Sequence, residues 1–271
     1  MATYTTRDIQ LKAIECLDEL DRICKKNDIP YFIAWGTALG AVRHKGFIPW
    51  DDDVDVSMTY DNYLKFLEVC KTDLNTDKFF LQTPDTDYNT LVNYAKLRMN
   101  NTTSMDKEYS HIKMHWGICI DVFPIRNAPE SKFKRKELVF FSMLYRLTLR
   151  RQVITGRNKF LVDTLCTIFT EKRFRKMLLN KINSLCPKEE TSDIFDVEGI
   201  SIKKPFYPRN LVDEIEPIEY EGRYLPAPKN IDAYLSYMYG DYMTPPPEDK
   251  RTGHSGIIVD LEKNFTEYQN L

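Results

Sequence analysis

Four carboxylates fall within five residues, at Asp51, Asp52, Asp53 and Asp55, directly after a glycine-rich turn and the cations Arg43, His44 and Lys45. Like charges at that spacing repel one another strongly unless a counter-ion sits among them. A divalent metal with hard oxygen ligands is the least costly counter-ion, and Mg²⁺ usually arrives with substrate phosphates. The pattern therefore points to metal-assisted chemistry on a phosphorylated substrate. Residues two apart on a strand share a face. Reading Asp53 to Met58 as a strand puts Asp53 and Asp55 together, and Asp51 joins them if the extended backbone begins early enough. Asp52 is then out of phase and expected to be solvated. An acidic surface loop is the plainer reading, and it sits poorly with the apolar and aromatic residues around the run. A calcium loop of the EF-hand type fails on detail: counting from Asp51, Val56 stands where glycine is needed and Asn62 where the bidentate glutamate belongs.

Asp121 is the next candidate, because Gly117 to Pro124 is otherwise almost wholly apolar. A lone carboxylate there needs a metal or a partner. If its strand neighbours the acidic one, three carboxylates converge, with Asp53, Asp55 and Asp121 as the catalytic set and Asp51 as a further metal ligand. A buried Asp paired with a cation or a backbone amide is the alternative. Backbone amides after Gly36 and Thr37, opening a short helix, can hold phosphate oxygens. Arg43 can clamp a phosphate bidentately. His44 could orient a carboxylate or phosphate, or make a structural hydrogen bond. Lys96 and Arg98 share a strand face and are phosphate-ligand candidates, with a solvated strand face as the alternative.

The elements that must position these residues can be read from period and punctuation. A helix capped at Thr5 or Thr6 runs to about Asn27, with Ile9, Ala13, Leu17, Leu20 and Cys24 on one face. Tyr31 to Trp35 reads as a strand, Gly36 as a tight turn, and Ala38 to His44 as a short helix. Tyr60 to Leu74 reads as a helix capped by Thr59. Lys78 to Gln82, Asn93 to Met99 and Gly117 to Phe123 read as strands. This order predicts an α/β or α+β fold with a mixed sheet flanked by helices. From Ser131 to Ser184 the chain reads as helical, basic and rich in large apolar residues. Pro187 to Pro208 reads as irregular, 218–225 as a hairpin turning at Glu221-Gly222, and Asn230 to Tyr239 as a helix. The expected organisation is a catalytic core over 1–128, a helical insertion over 129–210, and a C-terminal hairpin and helix over 211–271 that pack back on the core.

The net charge of −2 gives no basis for a nucleic-acid partner. Met1 to Gln10 has no apolar signal segment, and no apolar run approaches membrane-spanning length, so a cytoplasmic location is expected. The six cysteines form no C-x-x-C pair, which suits buried thiols better than a disulfide framework and gives no zinc site. Asn100-Asn101-Thr102-Thr103 matches the glycosylation pattern and reads as chance.

The block from Gly36 to Asp55 resembles the signature of the LicD family, the phosphocholine (diphosphonucleoside choline) transferases of bacterial surface glycans, to which fukutin and fukutin-related protein are distantly related. Lys96-Leu97-Arg98 resembles the family's K-x-R segment and Gly117 to Pro124 its G-I-x-I-D-x-F-P strand. The resemblance spans about residues 8–125 and 215–254. It implies a nucleotidyltransferase-type fold with a G-[ST] turn, a D-x-D strand and a third carboxylate, filled here by Gly36-Thr37, Asp53/Asp55 and Asp121. It also implies Mg²⁺ or Mn²⁺ and a CDP-activated alcohol donor. The expected activity is transfer of phosphocholine from CDP-choline, with release of CMP, to a hydroxyl of a glycan or its lipid-linked precursor, as in modification of teichoic acid or lipopolysaccharide. Ethanolamine, glycerol and ribitol remain open as the carried alcohol. A quaternary ammonium would need an aromatic cage, for which Trp50 is one candidate. A nucleotidyltransferase moving NMP from an NTP would use the same carboxylates, and a non-catalytic metal-binding scaffold is the reading from another class. The basic helical section is a candidate for peripheral contact with anionic lipid on the inner face of the membrane, against the plainer reading that its apolar side packs inward.

Overall fold

The computed structural model describes residues 4–196, 204–251 and 257–269. The last part of the family-like stretch, 252–254, and part of the segment read as irregular, 197–203, lie outside the described residues. Helix α1 spans Thr6–Lys26, opened by a capping box between Thr5 and Asp8. A two-residue strand, β1 (Phe32–Ile33), leads into α2 (Trp35–His44). Strand β2 (Asp55–Thr59) runs into α3 (Tyr60–Asp73), whose N-cap is Thr59. Then come β3 (Phe79–Gln82), β4 (Ala95–Met99), β5 (Thr103–Asp106) and β6 (Cys119–Asn127). Helices α4 (Lys132–Leu149), α5 (Gly156–Phe169) and α6 (Glu171–Leu185) follow. The chain closes with β7 (Asp193–Phe195), β8 (Phe206–Pro208), the hairpin β9 (Ile215–Tyr220) and β10 (Arg223–Pro228), α7 (Ile231–Tyr239) and β11 (Ile257–Asp260).

The main sheet has the order β1-β2-β6-β4-β3, with β7 and β8 added beside the end of β6. Among the described residues only β2 and β6 run parallel in this sheet and the other pairs are antiparallel, which makes the mixed α/β sheet that the element order predicts. Helix α1 presents Leu17, Leu20 and Ile23, all fully buried, to a core shared with Val56, Leu97 and Val122 of the sheet and with Tyr220 and Tyr234 of the C-terminal hairpin and helix. The C-terminal elements thus complete the main core. The helical section has a core of its own around Leu138, Val162, Phe174 and Leu178. No helix among the described residues is long and apolar enough to cross a membrane.

Three readings are corrected. The strand expected over Tyr31–Trp35 keeps only two residues, because α2 begins at Trp35. The positive φ that turns the chain there belongs to Trp35 and not to Gly36. The segment read as irregular contains β7 and β8, which extend the sheet. The Glu221-Gly222 hairpin turn is as expected: both residues have positive φ, and Tyr220 pairs with Arg223 across a two-residue loop.

Candidate active site

Three adjacent strands set the centre of the site. Asp55 on β2 is directly opposite Asp121 on β6, and Asp121 is directly opposite Lys96 on β4. Lys96 Nζ lies 2.5 Å from Asp121 Oδ1, and the Tyr94 hydroxyl donates to Oδ2 at 2.9 Å. Burial works against charge on Lys96, yet Asp121 and Cys119 hold its pKa well above the ordinary lysine value. Burial pushes the Asp55 carboxyl well above its usual range, and the carboxylates of Asp121, Asp53 and Asp51 push it further. Asp51, Asp53, Asp55 and Asp121 therefore share one electrostatic neighbourhood.

The strand phase differs in one respect. Pairing of β2 starts at Asp55, so residues 51–54 are extended but lie before the ladder. Asp53 is exposed and Asp52 half-buried, the reverse of the expected burial. The physical reason is the short β1: Ala34 N donates to the Asp55 carbonyl at 2.9 Å, and no strand residue lies beyond it to pair with Asp53.

Helix α2 borders the acidic run. The buried Thr37 hydroxyl accepts from Asp55 N at 2.8 Å, so Thr37 fixes the backbone of the central carboxylate. Gly36 lies in the first turn, where an added Cβ would stand 3.3 Å from Asp51 Oδ2; a side chain there would crowd that carboxylate. Arg43 follows on the same face two turns later, and its Nη2 is buried with no hydrogen-bond partner. His44 is exposed, and burial of its ring and the Arg43 charge lower its pKa. Trp50 is half-buried, with the His44 ring edge-on at 6.5 Å and the Arg251 guanidinium 5.1 Å from its centroid. Trp50 thus already carries a cation, supplied from the far end of the chain.

Arg98 is not brought into the site. It is 4% exposed, its Nε donates to Gln82 Oε1 at 2.6 Å, and its Nη1 donates to the Gly117 carbonyl at 2.7 Å. It pins β4 to β3 and to the start of β6, and its hydrogen-bonding capacity is used in the fold.

Several residues that sequence reasoning passed over hold the acidic run in place. Buried Gln10 on α1 donates to the Asp51 carbonyl at 2.7 Å. Glu221, at the hairpin turn, accepts from Phe47 N at 3.1 Å and takes both Arg7 guanidinium nitrogens at 3.0 and 2.7 Å. This packing requires Gly46, where a Cβ would fall 2.3 Å from Glu221 Oε1. The phenol of Tyr239 is pushed up by burial and by the Asp55 and Asp51 charges; Tyr220 responds to burial, Glu221 and the same two carboxylates. A helical period in 231–239 was legible, but which tyrosine faces the carboxylates depends on how α7 docks.

The donor set is all carboxylate oxygen, which fits a hard divalent cation in charge and ligand type. Among the described residues no three His, Cys, Asp or Glu side chains are gathered closely enough to enclose an ion. Holding one therefore takes rotation of the aspartates toward a common point.

Comparison with known proteins agrees with this geometry. Residues 28–146 match the LicD/FKTN/FKRP nucleotidyltransferase domain, a span that contains the whole carboxylate row and Lys96. The chain is 28% identical over 264 residues to the lipopolysaccharide cholinephosphotransferase LicD of Haemophilus influenzae, covering 94% of this chain and 97% of that protein. Shorter matches of 59 residues, 37% and 36% identical, link it to uncharacterized proteins of Rickettsia typhi and Rickettsia prowazekii; each covers 22% of this chain.

Proposed function

Because the chain belongs to the LicD family, we propose that it is a transferase that moves phosphocholine from CDP-choline to a hydroxyl of a surface glycan or of its lipid-linked precursor, releasing CMP. The observation that carries this reading is the row Asp55–Asp121–Lys96 across three neighbouring strands, with Asp51 and Asp53 leading into it. Asp51, Asp53, Asp55 and Asp121 would hold a Mg²⁺ or Mn²⁺ ion, which would supply charge neutralisation at the donor diphosphate. Around it, Arg43 and the amides of Gly36 and Thr37 bind phosphate oxygens. Lys96, fixed by Asp121, adds positive charge at one edge of the row. The acceptor oxygen forms its bond to the phosphorus that carries choline, the bond from that phosphorus to CMP breaks, and the hydroxyl proton passes to a carboxylate of the row. Positioning and charge neutralisation supply most of the acceleration in such transfers.

The acceptor class follows from the Haemophilus relative, whose name specifies lipopolysaccharide. The exposed Phe133, Phe140, Phe160 and Ile168, set among the cations of α4 to α6, support peripheral contact with anionic lipid from the cytoplasmic side, where a lipid-linked acceptor would lie. The reading is tested with a panel of CDP-choline, CDP-ethanolamine, CDP-glycerol and CDP-ribitol, each assayed with Mg²⁺ and Mn²⁺ for CMP. CMP release with CDP-choline and an acceptor glycan is expected. Pyrophosphate release from a nucleoside triphosphate, with none of the CDP-alcohols turning over, would instead assign NMP transfer.

A further inference from the structure

At the opposite end of β2 and β6 from the carboxylate row lies a second cavity of about 520 Å³, between the sheet and the helical section. Thr59, at the end of β2, is four residues from Asp55, about 13 Å along the strand. The volume is that of a small-molecule site. Three observations define its chemistry. Arg126, paired with β7 at the end of β6, places its guanidinium 3.9 Å from the centroid of the Tyr60 ring. Among the described residues its buried Nε has no hydrogen-bond partner. A buried guanidinium donor without an acceptor costs free energy that an anionic ligand would return.

Asn183, from the last turn of α6, supplies the complementary deficit. Its Oδ1 is buried and unpartnered, so the cavity also lacks a hydrogen-bond donor. Arg209 is already satisfied: it donates to Asn127 Oδ1 and to the Thr191 carbonyl at 2.7 Å, and lies 3.6 Å from Asp213. It therefore shapes the wall, while Lys188 stands at the exposed rim together with the carboxylates of Asp61 and Glu190. An unsatisfied cationic donor and an unsatisfied neutral acceptor, facing one cavity beside an aromatic ring, call for a ligand that carries both an anionic oxygen and a hydroxyl.

We propose that this cavity binds a phosphorylated sugar or polyol, with phosphate on Arg126 and a hydroxyl donating to Asn183. The site is separate from the carboxylate row and does not depend on the reaction proposed there.

The test is calorimetric titration of the full chain with glucose 6-phosphate, inorganic phosphate and glucose. Saturable binding of glucose 6-phosphate with Kd below about 10 mM, at least about tenfold tighter than phosphate, with no binding of glucose, is expected. Arg126→Gln should weaken it by about tenfold or more. Asn183→Asp, which places a carboxylate beside the phosphate, should do the same, and it decides the matter should Arg126→Gln fail to fold. Asn183→Leu should bring sugar phosphate and phosphate to equal affinity. Asp55→Asn should leave binding unchanged. The proposal is overturned if no probe binds, if phosphate binds as tightly as the sugar phosphate, if Asn183→Asp binds normally, or if Asp55→Asn abolishes binding and so moves the ligand to the acidic row.

Discussion

In the core sheet the charged side chains turn inward and are paired: Lys96 with Asp121, and Arg98 with Gln82 and the Gly117 carbonyl. In the helical section most charge stays outside, with Arg175 the buried exception, paired to Glu171, and the side chains that break the usual rule are aromatic, with Phe160 75% and Phe133 70% exposed above a core of Val162, Phe174 and Leu178. Both regions depart from the common arrangement of polar outside and apolar inside, in opposite directions. Buried charge is costly unless each group has a partner, which makes the sheet intolerant of losing one. Exposed aromatics contribute little to folding, so the helical section should be tolerant at its surface. The two regions can therefore be separated by what their substitutions disturb.

The largest effect is expected on turnover. Asp55→Asn and Asp53→Asn should each lower it by about 10³-fold or more while circular dichroism shows an unchanged fold. Asp52→Asn should stay within about tenfold, since Asp52 is out of phase with Asp53 and Asp55. Equal losses at Asp52 and Asp53 would mean that the carboxylates do not form an ordered row. Next is Lys96→Met, which leaves Asp121 without its cation and should cost about 3 kcal/mol in denaturant unfolding. Adding Asp121→Asn should restore much of that stability without restoring turnover.

A loss of similar size but different kind is expected in the helical core. Leu178→Ala should cost about 2–4 kcal/mol, with turnover per folded molecule unchanged. A fall in turnover at constant folded fraction would show that the two regions are coupled. A pH-dependent effect comes from His115, which lies between the Phe80 and Phe265 rings and accepts from Gly117 N at Nδ1. Burial, with Arg98 nearby, lowers its pKa to about 3. The neutral ring is the form the fold holds. Its contribution should be fully present above the ordinary value near 6.5 and fall as the pH drops toward 3, by up to about 1.4 kcal/mol per pH unit. His115→Phe should flatten that slope in acid-unfolding curves. The smallest effect is Phe160→Ser, expected within about 0.5 kcal/mol of wild type. The same substitution, combined with Ile168→Ser, should weaken co-sedimentation with anionic vesicles; unchanged sedimentation would remove the membrane role of this face.

Much of the core was legible because its signals are local. The capping residues Thr5 and Thr59, the period of α1 and the Glu221-Gly222 turn each rest on neighbours in sequence. The acidic run was legible as a cluster, but the start of its strand was placed two residues early, because where a strand begins depends on whether a partner strand is present. Lys96 and Arg98 look alike in sequence, two apart on one strand. Register sets Lys96 opposite Asp121 and Arg98 opposite Phe80 and Cys119, from where Arg98 reaches diagonally to Gln82, and β3 and β6 decide which is which. Within the basic helices, Phe140 and Phe160 could not be told from Phe174 by composition; burial of Phe174 follows from how α6 packs on α4.

The clamp at Glu221 has a consequence in time. A chain emerges from the ribosome N-terminus first, and its domains generally fold as units. Arg7 and the amide of Phe47 must wait for a carboxylate that lies 214 and 174 residues further on. Until that residue appears, the bend at Gly46 that carries the chain into its acidic run has its local hydrogen bonds but lacks its side-chain clamp. A nascent polypeptide truncated before the hairpin would hold every aspartate of the row and still lack their arrangement. Competence should therefore arrive late in synthesis, in a single step, when the turn at Glu221 closes on both ends of what was made first.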